Sequence, residues 1–122
     1  MMSKPNVIAD KSEDFAVRVV NLSRYLMEEK KEFIISKQIF RSGTSIGANV
    51  AESRNAQSPN DFINKMNIAL KEADETSYWL RLLKRTGYIS TEQYESLYGD
   101  VNELISILSS IIKTTRHKVS DV

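Results

Sequence analysis

The apolar residues in the C-terminal part of the chain recur every three or four positions without interruption. Side chains at that spacing lie on one face of an α-helix, so the pattern predicts a long amphipathic helix. Its apolar face is wider than the seam of a strict heptad repeat, which favours packing in a globular bundle over a coiled coil. The residues of this stripe are Tyr94, Leu97, Val101, Leu104, Ile105, Leu108, Ile111 and Ile112.

Three further segments show the same period, and their ends carry signals for helix starts and stops. Asp10 and Ser12 are candidate N-caps of the first helix, Ser58 of the third and Ser90 of the fourth. Gly87 is placed to end the third helix in a left-handed conformation. The four predicted helices span residues 12–32, 36–56, 59–86 and 91–118.

Helix breakers are scarce, which favours a few long elements over many short strands. The chain has 2 prolines and 4 glycines in 122 residues, and the links between its periodic segments are short. We therefore predict an all-α protein, an up-and-down (antiparallel) four-helix bundle, as a single domain over residues 1–122 with flexible termini. No apolar leader and no run of about 18 apolar residues occurs, so we expect a cytoplasmic protein without a membrane partner.

The predicted second helix carries a column of polar side chains between apolar and small flanks. These residues are Gln38, Arg41, Ser45, Asn49 and Glu52, here called the polar seam. An unpaired buried polar group costs about 1–3 kcal/mol, so we expect the seam to find partners on a neighbouring helix. In an antiparallel pair, Arg41 comes level with Glu72 and Glu75 of the third helix, and we predict an ion pair there. Glu52 comes level with Lys65. We interpret the seam as a network that fixes helix register, with an oligomer contact or a ligand site as alternatives.

Small residues recur along this helix and leave room for a neighbouring backbone. Gly43, Gly47, Ala48 and Ala51 carry little or no side chain. Glycine inside a helix costs about 1 kcal/mol relative to alanine, so two of them indicate that a neighbouring backbone approaches closely.

The segment QIFRSGTSIGANVAES, residues 38–53, resembles the signature of the four-helix-bundle family encoded in intervening sequences of bacterial 23S ribosomal RNA genes. The segment DFINKMNIALKEADETSYWLRLL, residues 61–83, is similar to that family's third helix. The resemblance extends from about Phe15 to Ile111 and implies a bundle that assembles into a ring-shaped homo-oligomer, a pentamer. It also extends to a related bundle protein that assists a reverse transcriptase in diversity-generating retroelements, which implies nucleic acid as a second candidate partner.

Residues for catalysis or metal binding are sparse. The chain has no cysteine and only one histidine, His117, so it cannot supply the two Glu-x-x-His pairs of a di-iron bundle. No Gly-rich phosphate loop is present. We therefore expect no catalytic residue, no metal site, no cofactor and no enzyme activity.

Two kinds of surface residue point to partners. The third helix carries apolar side chains that point away from its core stripe: Ile68, Tyr78, Trp79 and Leu82. They predict a subunit contact, and lateral packing inside the monomer is the alternative. Cations end the third and fourth helices, where they complement the helix dipole or contact nucleic acid: Arg81, Lys84, Arg85, Lys113, Arg116 and Lys118. The net charge is only +1, which argues against strong nonspecific nucleic-acid binding by the monomer.

Two functional hypotheses follow. The leading one is a non-enzymatic, homo-oligomeric scaffold or adaptor for an unknown protein partner. The alternative is an RNA- or DNA-binding accessory protein, associated with ribosomal RNA or a reverse transcriptase, in which a ring repeats the basic clusters around its rim.

Overall fold

Four helices account for most of residues 6–120, the part of the chain that the computed structural model describes. Each helix packs against its sequence neighbours, and α1 and α4 close the bundle. Ion pairs between Lys11 and Glu103 and between Arg18 and Asp100 join those two helices in antiparallel register. The all-α, up-and-down four-helix fold is therefore confirmed, with α1 at Val7–Glu28, α2 at Ile35–Ser53, α3 at Pro59–Arg85 and α4 at Thr91–Ser120.

The predicted bounds of the first helix are wrong at both ends. Asn6 is the N-cap, and its side-chain oxygen accepts a hydrogen bond from the amide of Ala9 at 3.2 Å. Asp10 lies in the first turn, and Ser12 is a buried helix residue whose hydroxyl donates to the carbonyl of Ala9. Because Asn6 supplies the cap, the helix starts five residues before the predicted position 12, and it ends at Glu28 instead of 32.

The caps predicted for the later helices are confirmed. Ser58 accepts from the amide of Asp61, and Ser90 and Gln93 exchange the two hydrogen bonds of a capping box. Gly87 follows α3 with φ 82°, a conformation that glycine adopts without strain. Helix α2 ends at Ser53, three residues before the predicted 56, and α4 continues to Ser120. The predicted flexible termini fall on residues 1–5 and 121–122, outside the described part of the chain.

The turn between α1 and α2 is organised by a buried carboxylate. Glu32, only 8% exposed, accepts hydrogen bonds from the amides of Ile34, Ile35 and Ser36 at 3.2, 3.0 and 2.7 Å. The N-cap residue of α2, Ile34, has no side chain that could do this. Burial opposes ionisation of Glu32, but the amide hydrogen bonds outweigh it and hold the pKa of Glu32 below its usual value. Glu32 therefore replaces the missing N-cap of α2.

Gly43 and Gly47 of α2 pack closely against α1, as the sequence predicted for a close neighbour, whereas Ala48 and Ala51 are exposed. A Cβ atom added at Gly43 would lie 2.7 Å from both methyl carbons of Val19, which is fully buried. A Cβ atom added at Gly47 would lie 3.3 Å from the carbonyl oxygen of Ser12, which is main chain.

Within residues 6–120, no helix combines the length and apolarity needed to cross a membrane.

Candidate functional site

The polar seam of α2 meets a carboxylate pair on α3. Arg41 donates from Nη1 to both carboxylate oxygens of Glu72 at 3.2 Å and from Nη2 to Oε2 of Glu75. The predicted Arg41 pair is therefore confirmed, with both acids rather than one. At the other end of the seam, Lys65 donates to Glu52 at 3.0 Å, also as predicted.

A tryptophan extends this network along α3. The indole Nε1 of Trp79 donates to Oε2 of Glu75 at 3.1 Å, so Glu75 joins Arg41 to Trp79. The hydrogen bond from Trp79 and then that from Arg41 lower the pKa of Glu75, against an opposing effect of burial. Hydrogen bonds to Glu75 and Glu72 raise the pKa of Arg41. The three side chains are thus fixed in one arrangement, with the carboxylate ionised at neutral pH.

The seam lies at the surface of the chain, although it was expected to need partners as a buried polar group would. The Arg41 side chain is 51% exposed, and Gln38 and Glu52 are exposed as well. Ser45 donates to the carbonyl of Arg41 and Asn49 to that of Ser45, both within α2. Among the described contacts of the seam, Arg41 and Glu52 bridge the helices, whereas the short side chains of Ser45 and Asn49 reach the backbone of their own helix.

The buried polar contact between α2 and α3 involves residues that the sequence reasoning did not single out. Thr76 Oγ1 lies 2.8 Å from Ser42 Oγ and 2.7 Å from the carbonyl oxygen of Glu72, and both hydroxyl residues are fully buried. A signal existed in the sequence, because Thr76 falls on the core stripe of α3 between Ala73 and Leu80. A polar residue on an apolar face needs a partner across the helix pair.

The predicted apolar patch of α3 adjoins the seam. Ile68, Trp79 and Leu82 are partly buried and lie on the same side of α3 as Glu72 and Glu75. Trp79 also packs against the core, so lateral packing accounts for part of its surface. We call the surface formed by the polar seam, Glu72, Glu75, Ile68, Trp79 and Leu82 the α2/α3 face.

Tyr78 lies on the outer crest of α3 and is 49% exposed. Its ring meets that of Trp79 edge to face, with the centroids 5.0 Å apart. The Arg81 guanidinium lies 5.9 Å from the Tyr78 ring centroid on the other side. Tyr78 therefore separates the α2/α3 face from the basic residues of α3.

The first predicted basic cluster borders the groove between α3 and α4. Arg81 donates to the hydroxyl of Ser77 at 3.1 Å, and Lys84 Nζ lies 5.1 Å from the ring centroid of Tyr94 on α4. Tyr94 stacks on Tyr98, with centroids 5.1 Å apart and planes inclined by 24°. Burial, with a smaller effect of Tyr98, raises the pKa of Tyr94 against an opposing effect of Arg81.

The second cluster borders the other end of the same groove. Lys113 and Arg116 line a cavity of about 320 Å³ with Asn67 and Leu70 of α3. The clusters lie at opposite ends of the bundle, as the alternating helix directions predict, and both border the surface where α3 meets α4. Arg85 and Lys118 are exposed and extend the clusters. We call this surface the α3/α4 groove.

Residues 6–120 contain no group of three or more histidine, cysteine or acidic side chains arranged to hold a metal ion. That the chain has no catalytic residue and no cofactor stays a prediction.

Comparisons with known proteins agree with the fold. The model of the family described as 23S rRNA-intervening sequence protein matches residues 4–110. A solved structure from Bacteroides thetaiotaomicron VPI-5482, a protein with unknown function from the S23 ribosomal protein family, is 64% identical with a TM-score of 0.88. That similarity covers 88% of this chain and 96% of the other. Comparison with curated proteins finds no match.

Proposed function

Because this chain belongs to the 23S rRNA-intervening sequence protein family, we propose that it is a non-enzymatic bundle that assembles with copies of itself through the α2/α3 face. The assembled bundle serves as a scaffold or adaptor for another protein. The observation that carries the proposal is the Arg41–Glu75–Trp79 cluster, an ordered set of interface-type side chains at the surface.

The types of side chain at this face and their fixed conformations both support a contact there. Tryptophan and arginine are the side chains that most often dominate the energetics of protein interfaces. Hydrogen bonds already hold Arg41, Glu75 and Trp79 in place, so these side chains lose little conformational entropy on binding. The Glu75 carboxylate has its partners within the chain, so covering it does not strand an unpaired charge.

A closed ring needs a second, different face on each subunit, because an odd number of copies cannot pair through one self-complementary patch. The α1/α2 side of the bundle offers a groove of about 320 Å³ that is lined mostly by small residues. Val17 and Phe40, both exposed apolar side chains, also lie on α1 and α2. The lining residues are Ala9, Glu13, Ala16, Thr44, Gly47, Ala48, Ala51 and Arg54. We propose this groove as the complement of the α2/α3 face, in a pentamer as the family resemblance implies. The proposal keeps the cytoplasmic location expected from the sequence.

The test is the mass of the purified protein in solution. Wild type, Leu82→Glu and Val119→Glu are compared by size-exclusion chromatography with light scattering, with circular dichroism as the check on folding. Leu82 lies on the α2/α3 face outside the core cluster, whereas Val119 is an exposed apolar residue on α4 that receives the same charge.

We expect wild type and Val119→Glu to share a mass that is a multiple of 13.9 kDa, five times for a pentamer. Leu82→Glu is expected to fall to the monomer mass with its helical signal intact. A monomeric wild type at micromolar concentration, or an unchanged mass for Leu82→Glu, would contradict the proposed contact.

A further inference from the structure

We infer that the α3/α4 groove binds a single-stranded nucleic acid, with phosphates at its two basic ends and bases stacked on the tyrosines beside Arg81 and Lys84. This goes beyond the proposed scaffold, because the groove is complete within one chain and lies on the side of α3 away from the α2/α3 face.

The cations at both ends are available for an anionic partner. Among residues 6–120, the ion pairs use Lys11, Arg18, Arg41 and Lys65, and none uses a cation of the groove. The groove cations are Arg81 and Lys84 at one end and Lys113 and Arg116 at the other. The hydroxyl of Ser77 and the ring of Tyr94 hold Arg81 and Lys84 without neutralising them. Four positive charges along one groove, in a chain of net charge +1, form a local site for a polyanion.

Aromatic rings stand beside the first pair of cations. Tyr94 and Tyr98 are stacked on each other and partly exposed, and Tyr78 lies across the groove edge next to Arg81. Proteins that bind single strands combine such rings, on which bases stack, with cations that follow the backbone. An acidic peptide would use the cations but would gain little from the tyrosines, so the combination favours a nucleic acid.

The dimensions of the groove suit a strand better than a duplex. Packed helices lie about 8–10 Å apart, so the groove between them is too narrow to admit a double helix. Asn67 and Arg81 mark its ends on α3, about 21 Å apart at a rise of about 1.5 Å per residue. At about 3.4 Å per stacked nucleotide, this length accommodates about six nucleotides.

The acidic residues near the groove restrict where phosphates can bind. Asp74 lies one turn from Leu70 and from Ser77, at the middle of the α3 side, and Glu95 follows Tyr94 on α4. A phosphate is therefore disfavoured at mid-groove and favoured at the ends. We place the bases on Tyr94 and Tyr98, and the exposed Asp74 carboxylate can accept a hydrogen bond from a base edge.

The experiment measures binding of a fluorescein-labelled oligouridylate of about twelve nucleotides, about twice the groove length, by anisotropy. Salt is varied from about 25 to about 200 mM. With four phosphate contacts, log K is expected to fall with log salt at a slope of about −2.8, at about 0.7 per contact. The double variants Arg81→Glu/Lys84→Glu and Lys113→Glu/Arg116→Glu are each expected to lose at least tenfold in affinity and about half of the slope.

Matched controls separate the groove from overall charge and from assembly. Arg24→Glu/Lys37→Glu makes the same change in charge at exposed positions of α1 and α2, and is expected to keep the wild-type slope. Tyr98→Leu keeps an apolar side chain and is expected to weaken binding severalfold with an unchanged slope. Leu82→Glu, which tests the proposed assembly, is expected to keep the slope even if it becomes monomeric.

Four results would overturn the inference. These are no binding at the lowest salt, an equal loss in the Arg24→Glu/Lys37→Glu control, and tighter binding of a duplex of the same length. The fourth is equal affinity for a polyglutamate peptide, which would reassign the groove to acidic protein segments. Circular dichroism of each variant confirms that the compared proteins are folded.

Discussion

Removal of the Glu32 carboxylate is expected to destabilise the bundle by about 2–3 kcal/mol. Of the three amides it caps, that of Ser36 belongs to a fully buried residue, whereas Ile34 is 76% exposed. In Glu32→Ala, water can therefore replace the bond to Ile34, but the Ser36 amide is left without a partner. A buried unsatisfied group costs about 1–3 kcal/mol, and loss of a helix cap costs about 0.5–2 kcal/mol.

The contribution of Glu32 also depends on pH in a defined direction. Its pKa is lower in the folded chain than in the unfolded chain, so the folded state binds the proton more weakly. The stabilisation is thus complete above the unfolded pKa of about 4.3 and is lost as the pH falls through the lower folded value. The stability difference between wild type and Glu32→Gln is expected to be constant above about pH 5 and to shrink below about pH 4.

These differences are measured by urea unfolding, with circular dichroism as the signal. The protein concentration is kept fixed, because the stability of an oligomer varies with concentration. Glu28→Ala is the control, because Glu28 is an exposed glutamate near the same turn that does not cap α2. A loss for Glu32→Ala of less than about 0.5 kcal/mol, as for ordinary surface substitutions, would refute the capping role. A wild-type to Glu32→Gln difference that persists unchanged down to pH 3 would refute the pKa reasoning.

Further substitutions test how α2 packs against its two neighbours, with Gly99 on α4 as the control position. Gly43→Ala is expected to cost about 1 kcal/mol, because crowding against Val19 costs about 1–3 kcal/mol and the gain in helix propensity returns about 1. Gly99→Ala, in open space on α4, is expected to gain up to about 1 kcal/mol, and equal thermal melts for the two variants would contradict the close approach. Arg41→Ala is expected to cost only about 1 kcal/mol in a monomeric background such as Leu82→Glu, because its side chain is half exposed. A loss above about 3 kcal/mol there would mean that the ion pair is effectively buried within the chain.

The sequence predicted the parts of the fold that depend on periodicity and on local capping chemistry. The helical stripes, the capping box at Ser90 and the left-handed Gly87 need only neighbouring residues, and the structure confirms them. The Arg41 pair was also predictable, because an antiparallel turn of known position fixes which residues come level. The start of α1 could not be predicted from the sequence, because Asn6, Asp10 and Ser12 are all acceptable N-caps and only packing decides among them.

The features that the sequence left open depend on three-dimensional neighbours. Glu32 reads as the end of a helix, and its role follows only from the turn that brings its carboxylate over the first amides of α2. The exposure of Arg41 depends on which helix faces are covered, a property of the whole bundle. The shared groove of the two basic clusters follows from the side on which α4 packs against α3, which spacing along one helix does not reveal.

The two proposed surfaces place assembly and nucleic-acid binding on opposite sides of one helix. Contacts run without a gap from Glu75 to Trp79, from Trp79 to the ring of Tyr78, and from Tyr78 to Arg81. Contact alone does not establish coupling between the two faces, because coupling needs an element with two arrangements. The hydrogen bonds of Glu75 and of Arg81 fix this row in one arrangement, so we expect the faces to act independently. A ring closed through the α2/α3 face then leaves every α3/α4 groove open, so each subunit presents its own binding site.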